Sequence, residues 1–384
     1  MILATAPETT SLSPPKSDQV EITVFGPGYG EAVLVHLGNN VWIQIDSCID
    51  VQSRLPAPTS YLDALGLRPD ECVRLLVVTH WHDDHIRGIS QSYEQYENAR
   101  LVIPSAFAKD DFAAFVSQGK ETMVRVGSGL SEISAVFRTA VGRESRMGPP
   151  KLAQADKRIR VFSACEVGGG DDCEVWSLSP SDKEVLQFLK WVGAIGPTYG
   201  SLRTRIPSPK KNDTAVVILI QLGHLSLVFG SDLEEVGDRH AGWQSIVLSD
   251  ARPKQLAGVF KVAHHGSVNG HLDDVWTQML EREPIAVLTP FRRGDVSLPT
   301  RQDAERILSR ASNSFISAMP QARVTTTRRK PEVEKTLRES VGKLYLAESE
   351  AGRVTLRSAS QREAPWTVTT AGGAGHLRTM LAAR

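Results

Sequence analysis

The 384-residue sequence contains no apolar stretch approaching the about 20 residues that a membrane span requires, which excludes a hydrophobic spanning helix. Its first residues lack a basic region followed by an apolar run, so a secretory signal is not expected. Residues 1–18 read instead as a flexible leader, since 3–17 (LATAPETTSLSPPKS) are rich in Pro, Ser and Thr, and a cytoplasmic protein is the expectation. Cysteine is scarce. None of the four, Cys48, Cys72, Cys165 and Cys173, stands in a CxxC pair, which disfavours a structural zinc knuckle and leaves reduced, packed thiols. A net charge is also missing, with 44 basic and 44 acidic residues. That balance argues against a protein that coats duplex nucleic acid, while leaving room for a local basic groove. No internal repeat of fixed short period is present.

What is there belongs to a globular chain, with 41% hydrophobic and 23% charged residues. Residues 20–25, 32–37 and 41–46 read as three consecutive strands of a meander. A short helix is expected over 58–66, started by Thr59 or Ser60. The run RLLVVT (74–79) reads as a buried strand that ends directly at His80. Helical spacing is expected over 86–98 and 104–142, strands at 158–163 and 174–178, and a helix at 182–193 capped by Ser181 or Asp182. Residues 195–213 read as loop. Further strands are expected at 214–221, 224–230, 257–262 and 285–289, with helices at 239–248, 272–282 and 300–312. Short strands near 321–326, 342–347 and 353–357 close the pattern, and 361–384 look like a C-terminal tail. One domain over 19–360 follows, with strands then helices twice over, which suits two sheets packed face to face with helices outside.

The chemistry concentrates in Thr79-His80-Trp81-His82-Asp83-Asp84-His85. On near-extended backbone, residues two apart point the same way, so His80 and His82 can share one metal ion, while Asp84 and His85 can reach a second. Imidazole suits zinc and iron, and carboxylate tolerates manganese. A solvated polar loop is the bland alternative, which four potential ligands directly after a buried strand disfavour.

His80-x-His82-x-Asp84-His85 resembles the HxHxDH signature of the metallo-β-lactamase fold. Phe229-Gly230-Ser231-Asp232 resembles that family's "GD" position, and Ala263-His264-His265-Gly266-Ser267 resembles the "HHGS" motif of the branch found in competence-type DNA-uptake channel proteins. The opening "VGQGD" turn and "IDTG" strand end of that branch have counterparts in Phe25-Gly26-Pro27-Gly28-Tyr29-Gly30-Glu31 and Ile45-Asp46-Ser47. The resemblance covers about residues 20–358. It implies an α/β fold, the αββα sandwich of two mixed sheets with helices outside, here with a helical insertion at about 101–205. It also implies two divalent metal ions, zinc first and manganese as the alternative. His80 and His82 would bind the first, Asp84, His85 and His265 the second, and Asp232 both. Asp84 and His264 are the candidate catalytic residues, with His264 as proton donor to the leaving group or a group behind the ligands. Asp46 would orient a ligand imidazole or simply end its strand.

This chain departs from the pattern in three places. No histidine lies between 86 and 223, so the ligand set of the first metal is incomplete; three alternatives stand for Asn212 or Asp213, which are to complete that set, to contact substrate, or to form a strand-entry turn. The late "HP" step reads Ser297-Leu298-Pro299. The segment 101–205 is long and would shape substrate access. His36 is expected to be structural, and Glu234-Glu235 to be solvated at a helix start.

A hydrolase using a metal-bridging hydroxide follows from the resemblance. Phosphodiesterase or nuclease chemistry on nucleic acid or nucleotides is the first expectation. Basic residues Arg203, Arg205, Lys210, Lys211, Arg292, Arg293, Arg328, Arg329 and Lys330 on loops lend it support. An amide or ester hydrolase, a peptidase-like effector gated by a partner protein through the insertion, is the alternative. A non-catalytic binding module is disfavoured because nearly all ligands are present.

Overall fold

The computed structural model describes residues 3–7, 12–26, 30–108, 112, 128–195, 212–319, 352–360 and 363–382. The first elements follow the alternation of the sequence. β2 (Glu21–Phe25), β3 (Ala32–His36) and β4 (Trp42–Ile45) form the antiparallel meander. In β3, Val33 and Val35 face one apolar layer while Ala32 and Leu34 face another, so the strand is buried on both sides. β5 (Val73–Val77), β6 (Arg100–Pro104) and β7 (Lys151–Ala153) extend this sheet in parallel. On its other side it is completed by β17 (Arg353–Ser360), β18 (Glu363–Ala371) and β1 (Leu3–Pro7).

Among the described residues the second sheet has eight strands. β8 (Lys157–Phe162), β9 (Cys173–Ser177), β10 (Ile218–Leu222) and β11 (Leu225–Phe229) are antiparallel. β12 (Ala257–Lys261), β13 (Leu280–Leu288) and β16 (Ser314–Ile316) then run parallel to β11, and β19 (Gly375–His376) closes the edge. A small hairpin, β14 (Phe291–Arg293) with β15 (Val296–Leu298), stands apart.

Ile22, Val24, Val35, Ile43 and Val77 of the first sheet meet Val175, Ile218, Leu227, Phe229 and Val287 of the second in one central core. Helices Ala57–Ala64, Ile89–Gln95, Ser128–Met147 and Asp182–Ile195 cover the outer face of the first sheet. Gly242–Val247, Asp273–Gln278, Arg301–Arg310 and Leu377–Ala382 cover that of the second. The molecule is thus two mixed sheets between helical layers, the expected αββα sandwich. Two helix starts are fixed as their sequences require: Ser181 exchanges hydrogen bonds with Glu184, and Thr300 does so with Asp303, each such cap contributing about 1 kcal/mol.

Three stretches differ from expectation. The segment 101–205 supplies two long helices, but it also supplies β6 to β9 to the two sheets, so it is not helical throughout. β8 and β9 stand at the expected strands 158–163 and 174–178, whereas β6 and β7, five and three residues long, are too short for alternation to register against the neighbouring helical spacing. The expected tail contains β18, in which only Trp366 and Val368 mark the buried face among threonines. The expected leader contains β1, which pairs with β18 and so was illegible once β18 was missed. The helix at 58–66 begins after Pro56 rather than at Thr59 or Ser60. Pro27 to Tyr29, the expected strands at 321–326 and 342–347, and the basic residues 203–211 and 328–330 lie outside the described residues.

Candidate metal centre

β4, β5, β11, β12 and β13 all deliver their C-terminal ends to one edge of the sandwich. Asp46 follows β4, His80 lies three residues past β5, Asp232 three past β11, His264 and His265 follow β12, and Thr289 directly follows β13. Gly230 has to be glycine, because a Cβ there would sit 2.9 Å from Ala263 Cβ and 3.0 Å from the Lys261 carbonyl oxygen. That close approach brings the Asp232 loop against the loop of His264 and His265. Asp46, Ser231, His264 and His265 all have positive φ, between 47° and 58°. Backbone in this region costs about 1–3 kcal/mol per residue and gathers where geometry is imposed for function.

The donor atoms converge. Asp232 Oδ1 lies 3.2 Å from His85 Nε2, and its Oδ2 lies 3.8 Å from His265 Nε2 and 3.9 Å from His80 Nε2. Asp84 Oδ2 is 3.2 Å from His265 Nε2 and 3.8 Å from His85 Nε2. Donor atoms of His80, His82 and Asp232 lie within 4.8 Å of one another. The six residues assigned from the sequence are therefore brought together, with Asp232 between two subsets.

Hydrogen-bond logic fixes the imidazoles. Thr79 Oγ1 donates to Asp46 Oδ2 at 2.6 Å, so it must accept from His80 Nδ1–H at 2.9 Å. Asp46 Oδ2 also accepts from His85 Nδ1–H at 2.8 Å. Thr289 Oγ1 donates to Glu31 Oε2 at 2.5 Å and accepts from His265 Nδ1–H at 3.1 Å. Ser267 Oγ donates to Asn269 and accepts from His264 Nδ1–H at 3.2 Å. Each ring therefore holds a proton on Nδ1, which leaves Nε2 as the atom available to a metal ion or a substrate. His80 Nε2, His85 Nε2 and Asp232 Oδ1 are buried and make no aligned hydrogen bond. Buried polar atoms left without partners are costly, and a divalent cation would satisfy them, so the residues fit such ions.

The charges are mutually dependent. Burial pushes the Asp232 carboxyl upward, but His85 and His265 outweigh it and hold the group well below its ordinary value. Burial lowers His85, yet Asp232 and Glu31 lift it well above the usual imidazole range. Burial, with His85 and His82 adding to it, keeps His80 neutral. Burial raises the Asp46 carboxyl, and its bonds to His85 and Thr79 only partly offset that.

Glu31 is the residue that the sequence reading left without a role. It is buried, binds Lys261 Nζ at 2.5 Å through Oε1, and lies 3.7 Å from His85 Nδ1 and 3.6 Å from His265 Nδ1. It stands behind both rings rather than among the Nε2 atoms, a position for orienting them. Its signals were a carboxylate in a glycine-rich turn between two strands and its place at the end of the segment that resembles the "VGQGD" turn. Thr79, Thr289 and Lys261 carried no signal of their own.

The site floors a cavity of about 760 Å³. His82, Asp84, Asp232, His264 and His265 line it, together with Asn212, Glu234, Ser267, Phe291, Arg293, Val296 and Leu298. Asn212 Nδ2 donates to Glu234 Oε1 at 3.1 Å, and its buried Oδ1 is unpartnered. Asp213 is not among the lining residues, which separates the two alternatives for that position. Glu234 proves to line the cavity, 3.8 Å from His264 Nδ1, instead of being merely solvated at a helix start. His36 is buried against Trp42, as expected of a structural residue.

No family model matches the chain, and no curated protein matches it. Among solved structures it is similar to a metallo-β-lactamase with a HARLDQ motif from Cronobacter sakazakii, at 18% identity and a TM-score of 0.32, over 62% of this chain and 73% of that one. It is similar to the metallo-β-lactamase-fold protein YhfI from Bacillus subtilis, at 14% identity and 0.31, over 63% and 70% of the chains. The Rm3 metallo-β-lactamase aligns at 17% identity and 0.32, over 68% and 85%. At these identities and scores the likeness decides nothing about activity, and the chemistry has to come from the site's own residues. No helix among the described residues is long and apolar enough to cross a membrane.

Proposed function

We propose that the protein is a metal-dependent hydrolase that cleaves phosphodiester bonds in nucleic acid or nucleotides. One observation carries the reading: separate hydroxyl or carboxylate partners hold imidazoles with Nε2 facing Asp84 and Asp232 at the floor of an open cavity. His80, His82 and Asp232 would hold one divalent ion, and Asp84, His85, His265 and Asp232 a second. Such ions supply Lewis acidity and a nucleophile at neutral pH. Zinc is the first choice for so imidazole-rich a set, with manganese as the alternative.

The chain's own residues do the rest. Asp46 and Glu31, through Thr79 and Thr289, keep the ligand rings from rotating. His264, whose ring is more open to the cavity than that of His265, donates the proton to the leaving oxygen, with Ser267 holding its Nδ1–H. Arg293 on the β14–β15 hairpin faces the non-bridging oxygens of an anionic substrate. Val268, Val296 and Leu298 offer an apolar wall that would equally accept an acyl group, which supports the second reading, an amide or ester hydrolase gated by a protein partner.

The readings separate on turnover of bis(p-nitrophenyl) phosphate and single-stranded oligonucleotides against p-nitrophenyl acetate and a peptide panel, each with zinc and with manganese. Cleavage of the phosphodiesters, lost in His82→Ala and Asp232→Ala, is expected. Cleavage confined to the acetate and peptides would transfer the assignment to the second reading, and no bound metal under any loading would defeat both.

A further inference from the structure

The parallel strands β5, β6 and β7 begin at the edge of the sandwich opposite the metal centre. Arg74 is the second residue of β5, Arg100 the first of β6 and Lys151 the first of β7. With Arg160 of β8 they line one pocket of about 430 Å³. Six residues separate Arg74 from His80, roughly 20 Å along an extended chain, so this pocket is distinct from the catalytic cavity.

Four cations meet one carboxylate there. Glu166 is engaged with Arg160 at 3.1 Å and with the backbone N–H of Ser163 at 2.8 Å. The side chains of Arg74 and Lys151 make no hydrogen bond or ion pair among the described residues. Arg100 is half-buried, donates to the Met147 carbonyl, and keeps a buried Nε without a partner. Elsewhere Arg68, Arg158, Arg301, Arg310 and Arg357 each meet a carboxylate, while Arg143, Arg146 and Arg252 donate to backbone carbonyl oxygens. In a sequence of zero net charge, like charges left together without counter-ions repel one another, and a bound anion relieves that repulsion. Guanidinium groups on separate strands present planar pairs of N–H donors, the geometry that oxyanions of phosphorus take. Asn39 and Asn98 add amide groups to the lining. The volume exceeds that of a single phosphate and lies in the range of small-molecule sites.

We propose that this pocket binds a small phosphorylated molecule carrying at least two phosphate charges, such as the diphosphate of a nucleotide. The site is independent of the hydrolase reading, since none of its residues belongs to the metal centre.

Isothermal titration of the full-length protein, at low salt and without added divalent metal, tests it with inorganic pyrophosphate, ADP and a single-stranded oligonucleotide as titrants. One equivalent of pyrophosphate and of ADP should bind the unmodified protein and His82→Ala alike. The exposed double substitution Arg74→Gln with Lys151→Gln should weaken both by about ten-fold or more, given the strength of charge-assisted hydrogen bonds. Its thermal midpoint should not fall, which separates lost binding from lost folding. The proposal is overturned if neither small anion binds or if the double variant gives an unchanged isotherm. Loss of binding in His82→Ala instead would place the anion in the catalytic cavity, and binding of the oligonucleotide alone would make the pocket a backbone contact; either result also overturns it.

Discussion

Replacing Lys261 with methionine isolates what the buried ion pair behind the metal centre does. Both side chains are almost fully enclosed, at 2% exposure for Lys261 and 4% for Glu31, and both Glu31 oxygens contact the ammonium group. Methionine keeps the apolar stem but leaves the carboxylate without its ammonium partner. Breaking one partner of a buried pair costs about 3–5 kcal/mol, whereas replacing both is often nearly neutral. Lys261→Met should therefore lose about 3–5 kcal/mol, and the double variant Glu31→Gln, Lys261→Met should recover most of it. The pH dependence has a definite sign. In the native protein burial pushes the Glu31 carboxyl up, and Lys261, His85 and His265 together bring it below its ordinary value. Without Lys261 the upward push is less opposed, the carboxyl takes a proton more readily, and the deficit should narrow as pH falls from neutrality. Urea denaturation of chelator-treated protein, followed by circular dichroism, measures the native protein and both variants. A single-variant cost under about 1 kcal/mol, or a double variant less stable than Lys261→Met, would refute the reasoning.

The remaining predictions concern three other places. Burial holds His36 near a pKa of about 3 against 6.5 for an exposed imidazole, with Nε2 accepting from the Asn40 N–H. The unfolded chain binds a proton there at higher pH than the folded one, so this residue's contribution is complete above 6.5 and lost as pH falls toward 3. The loss amounts to roughly 2–3 kcal/mol by pH 4.5 and about 4–5 kcal/mol in all, and denaturation of His36→Gln at pH 7 and 4.5 should show a flatter profile. Asp46→Asn removes the acceptor shared by Thr79 and His85, and should weaken divalent-metal affinity by about 10–100-fold in a competition titration. His265→Ala should lower metal content while His264→Ala leaves it intact and slows turnover; the reverse pattern would exchange their roles.

Elements with strong periodicity were legible. The β2–β4 meander, β5 and the helix capped by Thr300 each carry a local signal, and each stands within a few residues of its expected place. The histidines and aspartates of the metal centre were legible because three short motifs carry them. What orients them was not. Glu31 meets Lys261 across 230 residues and Thr289 across 258, and no local pattern encodes a contact between a turn and the ends of two strands of another sheet. β18 was missed for a related reason: Thr367, Thr369 and Thr370 are polar but sit in a strand whose partners lie at both ends of the chain.

Anomalous diffraction from crystals soaked in zinc, recorded on both sides of the zinc absorption edge, tests the central claim most directly. Two peaks are predicted on either side of Asp232, one in reach of His80 and His82 and the other of Asp84, His85 and His265. Zinc-soaked crystals with no peak beside Asp232 would contradict the assignment of this constellation as a metal centre.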